Sequence, residues 1–257
     1  MTRAEARPLP GDVSALLRRL RLPYVRGCAE EVFATARSQR WDPAEVLRAV
    51  LEEEARGRDA ATRAIRRKSA GLPAGKTFDS WRESDSSIPV ASQSALRTLE
   101  WMRRAENLAI AGPSGTGKSH FAEALAHLAI DAGMRASWFT LESLALAVGR
   151  AKVDASVAKV IARICRADLV VIDDIGILPA GQEAAEAFYR TVDGAYERTS
   201  VILTSNLHPS GFDSIMPKGL ASAGVDRFMH HAHVVLTEGS SMRLVEAMAG
   251  KGVVPLK

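Results

Sequence analysis

The sequence predicts an α/β fold in which a parallel sheet is flanked by helices and preceded by a small all-helical N-terminal domain. Short, almost wholly apolar runs at 107–111, 168–172 and 200–205 alternate with stretches of helical period. Strands that are apolar on both faces belong to parallel sheets covered by helices on either side. A glycine-rich turn at 112–119 joins the first apolar run to a helical one, giving the order strand, loop, helix. The first seventy residues, in contrast, read as helices alone.

Taken in order, residues 13–21 and 28–37 repeat apolar positions at helical spacing on either side of Pro23. Asp42, Pro43 and Glu45 form a helix start: the Asp caps, Pro suits the first turn, and the Glu completes a capping box. That helix is expected to run to about 54, and a second to span 60–69. Gly71, Pro73 and Gly75 mark a linker. The expected domains are therefore 1–70, a linker at 71–94, and an α/β domain at 95–257. Within the last, 95–104 reads as a helix leading into the strand 107–111. Strands at 135–140, 168–172, 200–205 and 233–236 follow, with one or two helices over 142–166 and another at 183–195.

The chain has 257 residues, room for an α/β domain of about 180 residues and an appendage, each with its own core. With 47% hydrophobic and 25% charged residues, disorder is not indicated. Cys28 and Cys165 lie far apart with no C-x-x-C spacing, which argues against a disulfide framework or a zinc site and makes a reducing cytoplasm the default. No apolar run reaches the ~18 residues of a membrane span, and the N-terminus has no hydrophobic signal core. Residues 1–70 hold 15 Lys/Arg against 10 Asp/Glu, a net +5 that exceeds the whole-chain +4. The N-terminal region is thus the expected polyanion contact. Arg18, Arg19 and Arg21, with Arg63, Arg66, Arg67 and Lys68, offer contacts to the phosphates of such a polyanion, and Arg150 and Lys152 offer further ones on the α/β domain; a solvated helical surface is the other reading of the same charge.

The strongest chemical signal is Gly112-Pro113-Ser114-Gly115-Thr116-Gly117-Lys118-Ser119, which fits G-x-x-x-x-G-K-[ST]. Glycines at 112, 115 and 117 let backbone N–H groups converge on a phosphate. Lys118 is expected to reach the β and γ phosphates of ATP and Ser119 to bind Mg²⁺. His120 opens the helix whose positive end faces the same anion. The second signal is Leu169-Val170-Val171-Ile172-Asp173-Asp174, two carboxylates at the C-terminal end of a buried strand, where ligands collect in open α/β sheets. Asp173 suits Mg²⁺, and Asp174 suits the attacking water. Asn206, after the strand 200–205, would sit beside Asp174 and bond the water or the γ phosphate. Arg227 can complete a neighbouring subunit's site, although an exposed or ion-paired arginine is the simpler reading from sequence alone. His230, His231 and His233 are read as packing and surface polarity rather than as metal ligands. A small-molecule kinase also uses such a loop, but it would need a substrate-binding insert.

The stretches GPSGTGKSHFAEALA, LVVIDDIG, ILTSN and VDRFMHHAHVVLTEGSSMRL resemble the IstB-type ATPases of the AAA+ superclass, which assist insertion-sequence transposases and are related to the DnaC helicase loaders. LRRLRLP near the N-terminus and Lys76-Thr77-Phe78-Asp79-Ser80-Trp81 extend the resemblance over nearly the whole chain. It implies an AAA+ P-loop fold and an ATP- and Mg²⁺-dependent homo-oligomer with nucleotide sites at subunit interfaces. Its implied partners are double-stranded DNA and a cognate transposase, or a replicative helicase in the loader alternative. By the same resemblance Asn206 matches a sensor, Arg227 an arginine finger, and Arg243 the arginine of a G-x-S-x-R element, where Met242 replaces a frequent aromatic.

Overall fold

The computed structural model describes residues 7–73, 75–176 and 180–242. Packing divides the chain between Ile65 and Arg66 into a helical unit and an α/β unit.

The helical unit contains α1 (Gly11–Arg19), α2 (Pro23–Gln39) and most of α3 (Pro43–Ala70). Pro23 opens α2, where its fixed φ and missing N–H cost nothing. The capping box forms at the start of α3: Asp42 Oδ1 accepts from Ala44 N–H at 2.8 Å, and Glu45 Oε2 accepts from Asp42 N–H at 3.3 Å. The two helices expected at 42–54 and 60–69 are one continuous helix. Gly57 is the reason. A Cβ there would lie 2.3 Å from the Tyr24 ring, so the glycine seats an aromatic ring on the helix instead of ending it. Nearby, Glu54 Oε2 accepts the N–H groups of Tyr24 and Val25 at 2.9 and 3.0 Å, tying α3 to the first turn of α2. Burial pushes the Glu54 carboxyl up, but hydrogen bonds from Arg58, Val25 and Tyr24 outweigh it and hold the group below its ordinary range. Val25, Ala29 and Val50 form the small core, with Leu17 and Phe33 against it.

In the α/β unit, the helix expected over 95–104 is two: α4 (Val90–Arg97) and α5 (Glu100–Arg103). Leu99 breaks it with φ 60°, and the reversal brings Leu96, Leu99 and Trp101 into one core. There follow β1 (Asn107–Ala111), α6 (Lys118–Asp131), β2 (Ala136–Thr140), α7 (Leu141–Val153), α8 (Val157–Ile164) and β3 (Leu169–Ile175). The unit continues with α9 (Gln182–Ala195), β4 (Ser200–Ser205), α10 (Lys218–Met229) and β5 (Ala232–Leu236). The strands form one sheet in the order β2-β3-β4-β1-β5, and every pairing is parallel.

Side chains alternate between two apolar cores, which is why the strands read as unbroken hydrophobic runs. Leu108, Ile110, Leu169, Val171 and Ile202 face the core that holds Phe121, Leu125 and Ile130 of α6. Ala109, Val170, Ile172, Val201 and Leu203 face the other, with Leu144 of α7, Phe188 of α9 and Phe228 of α10. This order places β4 between β1 and β3, so the loop after β1 and the ends of β3 and β4 share one edge of the sheet. No described helix is long and apolar enough to cross a membrane.

Candidate functional site: a cleft at the C-terminal sheet edge

The turn after β1 folds back onto the neighbouring strands. Gly112 N–H donates to Ser205 O at 3.0 Å, while Thr237, just past β5, donates its N–H to Ala111 O at 2.7 Å. Gly112 has φ 148°, and a Cβ there would lie 2.1 Å from Thr237 O, a backbone atom that cannot swing aside. Gly117 has φ 89° and is the N-cap of α6, so the cap residue itself brings no side chain to the first turn of that helix. Thr116 Oγ1 donates to Pro113 O at 2.9 Å and lies 2.7 Å from Thr237 Oγ1. Met242 N–H reaches Gly115 O at 3.0 Å. The turn is thereby fixed from several sides before any ligand arrives.

Lys118 is buried, and its Nζ donates to Pro113 O at 2.7 Å. A phosphate oxygen, being charged, is a stronger acceptor than that carbonyl. Ser119 Oγ donates to Asp173 Oδ1 at 2.8 Å, joining the first turn of α6 to the end of β3. Thr204 of β4 donates its hydroxyl to the same carboxylate oxygen and accepts Asp174 N–H at 3.0 Å. That bond sits where the β3–β4 register shifts between Ile172 and Ile175, and Asp174 there takes φ 61°. Strand β3 therefore continues past the expected end at 172, with Asp173 buried and Asp174 turned out to solvent. A positive φ at a non-glycine residue costs about 1–3 kcal/mol and persists only where surroundings enforce it; the Thr204 hydroxyl supplies one such restraint. A hydroxyl and a carboxylate oxygen side by side are hard oxygen donors, a pair that suits Mg²⁺.

Lys118, Ser119 and Asp174 border a cleft of about 360 Å³. One side is formed by Ser114 through His120, with Asp174, Asn206 and Met242. The other is a strap from the linker that presents Lys76, Ser80, Trp81, Arg82, Asp85 and Ser86. Trp81 approaches the loop so closely that a Cβ on Gly117 would be 3.0 Å from its ring. It also meets His120 edge-on at 5.0 Å between ring centroids, and His120 Nε2 lies 3.2 Å from Ser80 Oγ and Thr77 O. Lys118, Ser119, Asp174 and Asn206 are thus brought to one cleft, with Asp173 behind Ser119. Trp81, Thr204 and the strap were not singled out as site residues from the sequence. The strap lies 26 to 36 residues upstream of the loop, and a threonine inside a strand signals only strand propensity.

Arg227 does not line this cleft. On α10 it pairs with Asp193 of α9 and lies 5.5 Å above the Tyr189 ring. Asn107 fixes that helix, donating Nδ2–H to Phe228 O at 2.8 Å while its Oδ1 accepts Val201 N–H at 2.9 Å. Arg243 lies outside the described residues. Of the basic residues, Arg18 and Arg19 end α1, and Arg63, Arg66, Arg67 and Lys68 lie along the last two turns of α3. Arg66 donates to Gly133 O, Arg67 pairs with Asp131 at 2.6 Å, and Lys152 pairs with Glu186 at 2.8 Å. Arg150 is exposed on α7. His230 and His231 do have an acidic neighbour, Glu197, which sequence spacing did not reveal; all three are exposed.

A parallel sheet with this loop after β1, acidic residues closing β3 and an amide closing β4 is a P-loop fold of the AAA+ class. AMPPCP-bound DnaA from Aquifex aeolicus aligns with a TM-score of 0.55 at 18% identity, covering 72% of this chain and 58% of that one. The DnaC helicase loader aligns with a TM-score of 0.50 at 18% identity, covering 63% and 97%. Residues 15–249 match the family described as IstB-like ATP binding protein, and the chain belongs to that family. It is 31% identical over 237 residues to the insertion sequence IS21 ATP-binding protein of Pseudomonas aeruginosa, covering 91% of this chain and 89% of the relative. It is 30% identical over 229 residues to an IS21-like ATP-binding protein of Bacteroides fragilis, covering 88% and 87%.

Proposed function

We propose that the protein binds ATP with Mg²⁺ in the cleft, hydrolyses it, and uses the nucleotide state to time its assembly on double-stranded DNA, where it recruits or stimulates a transposase. The observation that carries the reading is the 2.8 Å bond between Ser119 Oγ and Asp173 in a cleft that also holds Lys118, Asp174 and Asn206. Lys118 would exchange the Pro113 carbonyl for phosphate oxygens, and N–H groups of residues 112–120 would hold the β phosphate. Ser119 and Asp173 would hold Mg²⁺, which when bound neutralises phosphate charge. Asp174 would accept a proton from the attacking water and Asn206 would orient that water, so that the bond between the γ phosphorus and the β–γ bridging oxygen breaks to give ADP and phosphate. Aspartate is one methylene shorter than glutamate, and slow turnover follows.

The finer parts of the proposal rest on charge and on the names of the relatives. Arg18, Arg19, Arg63, Arg66, Arg67, Lys68, Arg150 and Lys152 would contact DNA phosphates. Arg67 and Lys152 must exchange Asp131 and Glu186 to do so, which makes them the weaker contributors. Arg227, oriented by Asp193, would enter a neighbouring subunit's cleft in a homo-oligomer. The test is steady-state phosphate release with and without duplex DNA and excess EDTA. The reading requires slow, DNA-responsive release that EDTA abolishes; release that survives EDTA would overturn the assignment of Ser119 and Asp173. Association with a replicative helicase instead of a transposase would favour the loader alternative.

A further inference from the structure

Glu123 lies on α6, five residues beyond Lys118, and is 1% exposed among Phe121, Ala122, Ala124 and Leu125. A carboxylate so placed needs donors, because burial without them costs several kcal/mol. Its Oε1 accepts the N–H of Gly75 at 2.5 Å and of Lys76 at 3.0 Å. His127 Nε2 stands 3.7 Å from the same oxygen, beyond hydrogen-bond reach. Among the described residues, its hydrogen-bond donors are therefore those two N–H groups, which open the strap forming one side of the cleft.

The strap has a second fastening. Gln93, fully buried on α4, accepts Trp81 Nε1–H at 2.7 Å and donates Nε2–H to Ile88 O at 2.7 Å and Glu83 O at 3.2 Å. Between the two fastenings run Lys76, Ser80 and Trp81, with the indole against Gly117. Glu123 follows Ser119 by four residues, so both project from one face of α6. That face holds the hydroxyl of the phosphate loop and the anchor of the opposite wall. If the anchor fails, the start of the strap loses two hydrogen bonds to a charge, while Trp81 keeps its bond to Gln93 and its ring contacts with His120 and Phe121 farther along.

We propose that Glu123 is a positioning residue for the nucleotide: it touches no part of it, but latches residues 75–76 so that the strap stands as a wall of the cleft. The inference rests on the nucleotide-binding reading above. Hydrogen bonds to a charged acceptor are worth enough that losing them weakens nucleotide binding about ten- to a hundredfold. The test is binding of a fluorescent ATP analogue with Mg²⁺, alongside amide exchange of residues 75–86, in the full chain. Glu123→Met fills the same space without an acceptor and is expected to lose about that factor in affinity and to expose the strap amides. Glu123→Gln keeps an acceptor oxygen and is expected to retain most of both. An affinity and exchange pattern in Glu123→Met matching the native chain would overturn the latch, as would equal losses in the two variants. If Glu123→Met does not fold, amides of Gly75 and Lys76 exchanging at solvent rates in the native chain overturn it equally well. Failure of the native chain to bind the analogue, in contrast, would sink the nucleotide reading itself.

Discussion

Replacing Thr204 by valine changes one hydroxyl for a methyl and nothing else in shape, yet that hydroxyl joins the Asp173 carboxylate to the backbone of Asp174. It donates to the buried Asp173 and accepts Asp174 N–H at 3.0 Å. Losing a donor to a carboxylate costs about 1.5–3 kcal/mol, and stranding an N–H costs about 1–3 kcal/mol. The two losses share one atom and are coupled, so the sum overstates the effect. A net destabilisation of about 3 kcal/mol corresponds to a fall in Tm of roughly 6–12 °C for a domain of this size. Relaxation of the backbone at Asp174, where φ is 61°, would recover part of that stability. It would do so by moving the carboxylate, and a displacement of about 1 Å at a reacting group costs on the order of a hundredfold in rate. Thr204→Val should therefore turn over ATP about a hundredfold more slowly and melt several degrees lower. Thr204→Ser keeps both hydrogen bonds and should lose little turnover. Calorimetry with steady-state phosphate release measures both. Turnover within threefold of the native rate and an unchanged Tm in Thr204→Val would refute the reasoning.

Three further outcomes follow from the same geometry. Gly57→Ala gains about 1 kcal/mol of helix propensity but drives a Cβ to 2.3 Å from the Tyr24 ring; overpacking of about 1–3 kcal/mol should win, and a raised Tm would contradict the packing argument. Hydrogen bonds from Arg104 and His233 hold the Glu106 carboxyl down at about 2, against an ordinary 4.5. A depressed carboxyl pKa adds stability above 4.5 that fades as pH falls toward 2. Urea titrations should show Glu106→Gln less stable than the native chain at pH 7, with the gap narrowing as pH drops below about 4.5; a gap that stays constant down to pH 3 would contradict this. Asp174→Ala should cut phosphate release by about a hundredfold or more while leaving ATP bound, and should lengthen the life of the DNA complex. If neither rate nor lifetime changes, Asp174 has no part in the switch.

What the sequence made legible was local or repetitive. Glycines at 112, 115 and 117 are forced by backbone angles that few other residues adopt, so the loop could be read from spacing alone. The strands were legible because both faces of the sheet are buried, which leaves uninterrupted apolar runs such as 169–172. The continuity of α3 across 55–59 was not legible because the ring that Gly57 accommodates belongs to Tyr24, 33 residues away. Leu99 carries no mark of its positive φ. The Thr204 hydroxyl, the Trp81 wall and the Glu123 anchor depend on contacts between segments 12 to 48 residues apart or more, which periodicity cannot report.

On the function proposed above, the role of the loop at 112–119 is to sense ATP and so govern assembly on DNA. It is tested most directly by measuring particle mass on duplex DNA, at a fixed salt of about 0.1 M, with ATP, with ADP and without nucleotide, for the native chain and for Lys118→Ala. A larger DNA-bound particle is expected only with ATP and Mg²⁺, and is lost in Lys118→Ala. The same particle formed without nucleotide, or formed equally by Lys118→Ala, would contradict it.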